Sequence, residues 1–263
     1  MIRASGCTAA APAGPDGEPD PDTQLVVLRV LRDEVTVSLD SSGTLLHRRG
    51  YRLETAKAPL RETLAAALLL AGGWDPGTPL VDPMCGSGTI AIEAALLARR
   101  VAPGAARAFR FRHWLPWDEA AWAPLLAAAR GAERPRAGAE IVASDRDAGA
   151  IRAARANAER AGVAPDIRFV ERSVSDLERH AGPGQLVSNP PYGVRVSEGR
   201  ELRDLFARLG QVCRERVPGF GVTLLVPEAP LERATGLSFR ELFHTQNGGL
   251  PVRAMHAAAP PQR

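Results

Sequence analysis

The pattern of apolar and polar residues in the first part of the chain predicts a β-hairpin followed by a helix. Two β-rich runs, Gln24–Leu31 and Glu34–Leu39, are separated by the charged pair Arg32 and Asp33, which is typical of a hairpin. Further on, Leu60–Gly72 (LRETLAAALLLAG) combines good helix formers and stops at glycine. We therefore expect a two-stranded unit and then a helix before the remainder of the chain.

From Thr78 onwards the pattern changes to alternating strands and helices. Strand, turn and helix follow one another several times, and the last run, Phe239–Ala257, predicts a hairpin around Asn247, Gly248 and Gly249. Such alternation predicts an α/β fold, namely a doubly wound and mostly parallel sheet that an antiparallel hairpin closes. In sheets of this kind ligands bind beyond the carboxyl ends of the strands.

Composition narrows the class of protein. The chain has 263 residues, of which 45% are hydrophobic, and it contains no apolar run of the roughly 18 residues that a membrane span needs. Residues 1–22 lack the apolar core of a signal peptide and are rich in Ala, Pro, Gly and Asp, which predicts disorder. The widely spaced Cys7, Cys85 and Cys213 fit neither disulfides nor a metal site, so we expect a reduced, cytoplasmic protein.

The charge is a weak indication of a polyanionic partner. The net charge is +3, and Lys57 is the only lysine among 33 basic residues. Arginine suits phosphate and base contacts. A general preference for arginine, unrelated to any partner, explains the same observation equally well.

A glycine-rich turn, Asp82–Thr89 (DPMCGSGT), follows the first strand of the predicted sheet. Gly86 and Gly88 let the backbone approach a ligand closely, and the start of the next helix favours negative charge. The turn is neither G-x-G-x-x-G nor a P-loop. We expect Cys85 to be a small packed residue rather than a nucleophile.

Two acidic residues follow the next two strands. Asp145, in VASDRD, is placed to bind ribose hydroxyls, although alone it equally fits a cap of the helix Ala148–Arg160. Asp176, in SVSDL, is placed to accept a hydrogen bond from an exocyclic amine, and in isolation it fits an ordinary loop acid. Together with Asp82, these acids at the ends of three successive strands describe a nucleoside pocket.

A rigid corner, Asn189–Gly193 (NPPYG), follows the next strand. The Asn189 oxygen and the fixed Pro190 carbonyl can each accept one hydrogen of an exocyclic amine, which orients the nitrogen lone pair. Stacking of Tyr192 on the base is typically worth about 1–3 kcal/mol. A proline-rich turn with an incidental aromatic residue is the alternative.

The stretches DPMCGSGT, SDRD and NPPYG, in this order, resemble the class I AdoMet-dependent amino-methyltransferases with a Rossmann-like sheet. With LHRRGYR and APLRETLAAALL before them, the chain is similar to the THUMP-associated RNA guanine-N2 methyltransferases, especially the bacterial large-subunit ribosomal RNA enzymes of the RlmL type. The resemblance implies S-adenosyl-L-methionine as the cofactor and no metal. It also implies that Pro59 and Leu60 belong to a segment that closes over the cofactor.

The resemblance assigns a role to individual residues. The implied cofactor-binding residues are Asp82, Met84, Cys85, Gly86, Ser87, Gly88, Thr89, Asp145, Arg146, Asp176 and Asn189. The implied catalytic residues, which present the guanine N2, are Asn189, Pro190, Pro191 and Tyr192. The implied RNA contacts are Arg110, Arg112, Trp114 and Arg195.

The resemblance also implies a division of the chain. Residues 1–22 are a disordered tail, 23–52 the end of a THUMP-like domain, and 53–263 the methyltransferase domain with an insert at about 100–137. The insert combines arginines with tryptophans, as expected of an RNA contact, although we expect Trp117 and Trp122 to pack on the sheet. Val194 stands where the family commonly has glutamate.

The leading interpretation is a methyltransferase acting on the exocyclic N2 of a guanine in large-subunit ribosomal RNA. Three alternatives remain: the same chemistry on tRNA, adenine-N6 methylation of DNA, and a non-catalytic RNA-binding subunit. Because methyl transfer from a sulfonium needs alignment more than proton removal, we assign no catalytic role to any histidine. The base must leave its stack to react, so a loop or disrupted helix is the expected substrate.

Overall fold

The computed structural model describes residues 24–53, 60–191, 199–227 and 231–259. Several predictions fall outside these ranges and stay predictions: the disordered tail, the role of Pro59, and everything assigned to Tyr192, Val194 and Arg195.

The predicted N-terminal hairpin is present. Strand β1 (Val26–Leu31) pairs antiparallel with β2 (Glu34–Leu39). The turn residues Arg32 and Asp33 both have positive φ, 48° and 63°, which matches the right-handed twist of the strands. Every residue of both strands is exposed, including the valines and leucines that make the run β-rich. Two strands alone are marginally stable, so this unit depends on other contacts.

Within the described residues the main sheet has seven strands in the order β5-β4-β3-β6-β7-β9-β8. Their bounds are β3 Leu80–Asp82, β4 Ile141–Asp145, β5 Ile167–Glu171, β6 Gly184–Ser188, β7 Phe220–Pro227, β8 Arg240–Asn247 and β9 Leu250–Ala257. Strands β3 to β7 are parallel, whereas β9 is antiparallel to both β7 and β8. The doubly wound sheet and its closing hairpin are therefore confirmed, and β9 lies between β7 and β8.

Helices cover both faces of the sheet. They are α1 Glu62–Ala71, α2 Thr89–Ala98, α4 Ala148–Arg160 and α5 Gly199–Arg216, whereas α3 Glu119–Gly131 lies in the insert between α2 and β4 and has no buried residue. Buried side chains of α1, α2 and α4 form one apolar layer, and those of α5 form the other. The interior strand β3 contributes side chains to both layers, because Leu80 lies in the first and Val81 in the second. No helix of the described residues is long and apolar enough to cross a membrane.

The insert between α2 and β4 forms its own aromatic cluster. Trp117 and Trp122 lie with ring centroids 5.7 Å apart, and both contact Phe111, at 5.5 and 5.3 Å. Phe109 packs on Phe111 at 5.2 Å. The expectation that the two tryptophans pack on the sheet is therefore wrong. Their aromatic partners are instead Phe111, in the short helical turn Arg110–His113, and, for Trp122, also Phe109 just before that turn.

Candidate active site

The glycine-rich turn is held between the ends of β3 and β4. The Gly86 N–H donates to Asp145 Oδ2 at 2.9 Å, and the Cys85 N–H donates to the Ser144 carbonyl at 2.9 Å. Gly88 precedes α2 with φ 82°, and a Cβ there would lie 2.9 Å from the Ala154 Cβ. A side chain at Gly88 is thus excluded both by backbone conformation and by the packing of α4.

Asp82 is the most deeply buried acid of this edge, with 1% of its surface exposed. Its Oδ1 accepts from Ser188 Oγ at 2.7 Å and from the Met84 N–H at 3.3 Å. Its Oδ2 is buried and has no hydrogen-bond partner among the described residues. Burial raises the pKa of Asp82 from 3.8 to about 7, although both donors oppose that shift. The side chain therefore offers one unpaired oxygen to a ligand.

Asp145 supports the turn rather than the helix after it. Its Oδ2 accepts from Gly86, and its Oδ1 accepts from the Asp147 N–H at 3.0 Å. The cap of α4 is Asp147, whose carboxylate accepts from the Gly149 N–H at 2.7 Å. The alternative in which Asp145 caps α4 is therefore wrong. The next residue, Arg146, is exposed at the same edge.

The remaining turn residues differ in exposure. Cys85, Ser87 and Thr89 are buried, at 8%, 5% and 4% exposure. Burial raises the pKa of the Cys85 thiol well above its ordinary value, which supports a packed thiol and not a nucleophile. Met84 is half-buried and packs against the second apolar layer.

Asp176 ends a short helical turn, Val174–Asp176, after β5. The Ser173 hydroxyl accepts from the Ser175 N–H at 3.2 Å and so caps this turn. Asp176 itself is exposed at the carboxyl edge of the sheet. The structure thus puts Asp176 after β5, the strand next to that of Asp145, as the sequence predicts.

The NPP corner begins directly after β6, which runs parallel to β3 and beside it. Asn189 is half-buried, and its Oδ1 is fully buried without a hydrogen-bond partner among the described residues. Pro190 is buried, whereas Pro191 is exposed. Neighbouring strands therefore each present a buried and unpaired oxygen, from Asp82 and from Asn189. An unpaired buried acceptor is costly, about 1–3 kcal/mol, unless a ligand satisfies it.

The proposed RNA contacts of the insert divide into two groups. Arg112 is exposed; its guanidinium lies 3.4 Å from Glu119 Oε2 and 5.5 Å from the centre of the Trp117 ring. Trp114 instead donates from Nε1 to Gln24 Oε1 at 2.9 Å. Arg110 lies next to Gly43, since a Cβ placed at Gly43 would be 3.1 Å from the Cγ of Arg110. Trp114 and Arg110 therefore contact the N-terminal hairpin segment.

Sequence reasoning missed two residues that orient this site. Ser188 holds Asp82, and its only sequence signal is its place directly before Asn189. Asn157 on α4 is fully buried and donates from Nδ2 to the Ser87 carbonyl at 3.1 Å. An asparagine on the apolar face of a predicted helix was the available signal. No group of three or more side chains suited to a metal ion occurs among the described residues.

The chain is also similar to known proteins. A family model described as UPF0020, RMKL-like, methyltransferase domain matches residues 49–255. The ribosomal RNA large subunit methyltransferase K/L of Syntrophotalea carbinolica is 42% identical over 256 residues, covering 92% of this chain and 36% of that protein. The chain thus spans about a third of that relative's length.

Two solved structures extend the comparison. SMU.472, solved in complex with SAH, matches with a TM-score of 0.84 at 29% identity, over 91% of this chain and 63% of that one. A Listeria monocytogenes protein described as a predicted N6-adenine-specific DNA methylase matches with a TM-score of 0.77 at 34% identity, over 89% and 60%.

Proposed function

Because the chain belongs to the UPF0020 family of RMKL-like methyltransferase domains, we propose that it methylates the exocyclic N2 of a guanine in large-subunit ribosomal RNA. The methyl donor is S-adenosyl-L-methionine. The observation that carries the proposal is the pair of buried, unpaired oxygens on adjacent parallel strands, Asp82 Oδ2 and Asn189 Oδ1. The carboxylate oxygen of Asp82 suits a cation, and the amide oxygen of Asn189 suits an amine.

The residues at the glycine-rich turn fit an adenosyl amino acid. Asp82 Oδ2 would accept from the ammonium of the methionine part, and Gly86–Gly88 would hold that part of the ligand. Asp145, which keeps acceptor capacity beyond its two backbone bonds, would receive the ribose hydroxyls, and Asp176 would receive the adenine amine. When bound, the cofactor supplies a methyl group on a sulfonium, which needs no further activation.

The corner after β6 handles the target amine. Asn189 Oδ1 accepts one N–H of the guanine amine and the Pro190 carbonyl accepts the other, so the nitrogen lone pair is oriented. The prolines fix this geometry because their φ is restricted. The stacking of Tyr192 on the base stays a prediction, because Tyr192 lies outside the described residues. Alignment of this kind supplies about 7–11 kcal/mol of barrier lowering in favourable cases, and no general base is required.

The RNA partner rests on the insert, on the relatives and on residues 23–52. The Syntrophotalea relative is described as a ribosomal RNA methyltransferase. Arg112 is an exposed cation in an aromatic setting, as expected of an RNA contact. We propose that the exposed hairpin β1–β2 belongs to a THUMP-like RNA-binding unit, as the resemblance implies.

The test is methylation of separate substrates by the purified chain. Ribosomal RNA stripped of modification, tRNA and DNA are incubated with labelled cofactor, and the products are identified by nucleoside mass spectrometry. N2-methylguanosine in ribosomal RNA alone supports the proposal. N2-methylguanosine in tRNA alone would move the same chemistry to another RNA.

Adenine-N6 methylation of DNA is the second candidate. It is favoured by the Listeria structure's description and by the NPPY corner, which suits either amine. N6-methyladenine as the sole product would replace the guanine assignment. A chain that binds no cofactor at high micromolar concentration in calorimetry would instead be the non-catalytic subunit.

A further inference from the structure

Asn157 is a buried polar residue with no part in the chemistry described so far. It lies on α4, is 0% exposed, and donates from Nδ2 to the carbonyl of Ser87 at 3.1 Å. Ser87 is in the middle of the glycine-rich turn. A buried amide that donates to a loop carbonyl fixes the position of that loop, because the loss of a buried hydrogen bond is costly.

Arg160, one turn further along α4, sets the orientation of the Asn157 amide. Its guanidinium NH2 donates to Asn157 Oδ1, and its Nε donates to the carbonyl of Tyr51 at 2.8 Å. Since the arginine has only donors, the asparagine must direct its oxygen towards Arg160 and its NH2 towards Ser87. The hydrogen bonds therefore start from Arg160, which donates to Tyr51 on one side and, through Asn157, orients the donor to the glycine-rich turn on the other.

Tyr51, which accepts from Arg160, is also held by contacts with α2. Tyr51 is 4% exposed, and its hydroxyl donates to Glu93 Oε1 on α2 at 2.9 Å. Arg49 Nε lies 2.8 Å from the same oxygen. The segment Arg49–Tyr51, which joins the N-terminal hairpin to the sheet domain, is thus fastened to α2 on one side and to α4 on the other. These helices flank the glycine-rich turn, since α2 begins at its end and α4 packs against Gly88.

We infer that Asn157 is a positioning residue for cofactor binding and that Arg49–Tyr51 acts on the glycine-rich turn through Arg160 and Asn157. The inference rests on the proposed cofactor site. Its physical content is that the Ser87 carbonyl, held from α4, keeps the backbone of Gly86–Gly88 in position beside the proposed cofactor site. A turn released from Asn157 binds cofactor more weakly, while the target amine, held at Asn189, is unaffected.

The experiment measures cofactor affinity and steady-state kinetics for Asn157→Ala, Asn157→Asp, Arg160→Ala and the double variant. Loss of one buried hydrogen bond that leaves its partner unpaired is expected to raise the Kd and KM for AdoMet by about tenfold, within the range of such bonds. The kcat at saturating AdoMet and the KM for RNA stay unchanged. Asn157→Asp keeps the contact with Arg160 yet cannot donate to Ser87, so it behaves like Asn157→Ala.

The double variant tests whether Arg160 acts on cofactor affinity through Asn157 or independently of it. Arg160→Ala alone raises the Kd for AdoMet several-fold, and adding it to Asn157→Ala raises the Kd no further. Glu159→Ala, an exposed neighbour on α4, is the matched control and leaves affinity at the wild-type value. Additive effects, or variants that melt at lower temperature while binding AdoMet as tightly as wild type, would overturn the inference. Failure of the wild-type chain to bind AdoMet would instead overturn the proposed function.

Discussion

Replacing Asp82 by asparagine is expected to stabilise the protein without ligand and to weaken cofactor binding. A folded-state pKa of about 7, against an ordinary 3.8, means that ionising this carboxyl opposes folding. The penalty is absent below the ordinary pKa, grows as pH rises towards 7, and is constant above it. At about 1.4 kcal/mol for each tenfold change, the full penalty is about 4 kcal/mol.

The asparagine keeps part of the local geometry. Its oxygen still accepts from Ser188 and Met84, which now hold Asp82 Oδ1. Its NH2 takes the place of the unpaired Oδ2 and lacks an acceptor there, which costs about 1–3 kcal/mol. The net gain in the free energy of unfolding at about pH 8 is therefore about 1–3 kcal/mol, and at about pH 4, where the ionisation penalty is absent and the unpaired NH2 remains, the variant is less stable than wild type by about 1–3 kcal/mol.

Denaturant unfolding of both proteins across this pH range measures the difference directly. Taking the difference in stability between the two proteins cancels the pH-dependent contributions of other buried acids. Chief among them is Glu93, for which burial raises the pKa to about 7. Asp147→Asn, an exposed cap of α4 that asparagine also caps well, is the control and follows wild type at every pH. Calorimetry should show that Asp82→Asn weakens AdoMet binding at least about tenfold, since it removes an acceptor for a cation. A variant that parallels wild type in stability across the pH range would refute the reasoning.

Three further variants test separate parts of the site. Asn189→Ala is expected to abolish turnover while the Kd for AdoMet measured by calorimetry changes little; equal loss of both would make Asn189 a cofactor residue. Gly88→Ala, with its Cβ 2.9 Å from that of Ala154 and φ 82°, should lower stability by about 1–3 kcal/mol in denaturant unfolding; an unchanged midpoint would contradict the packing. Arg112→Ala should reduce the salt dependence of RNA binding by about one ion without altering AdoMet affinity; an unchanged slope would remove Arg112 from the interface.

The sheet edge was predictable because strand ends are marked in the sequence. Asp82, Asp145, Asp176 and Asn189 each follow an apolar run, and parallel strands bring such positions to one edge. The partners of these side chains were not predictable. That Asp145 receives the Gly86 N–H, and that Ser188 holds Asp82, depends on turn geometry across strands far apart in the chain.

The insert shows where local pattern is insufficient. Trp117 and Trp122 carry the sequence signature of buried residues, and they do pack, but against Phe109 and Phe111 and not against the sheet. Hydrophobic spacing identifies which side chains need cover and gives no information on which surface supplies it. The same limit applies to Asn157. Its position on an apolar helix face indicated that it is buried, but the sequence did not indicate that its partner is the Ser87 carbonyl.

The two attachments of the N-terminal segment connect different parts of the proposed reaction. One joins it to the insert, through the Phe111 N–H on the Ser41 carbonyl at 3.2 Å and through Arg107 on Thr44. The other joins it to the cofactor turn, through Tyr51 and α4. In the proposed function, an RNA that contacts the hairpin and the insert would therefore contact a stretch of chain that is also hydrogen-bonded, at Tyr51, to the helix that holds the glycine-rich turn.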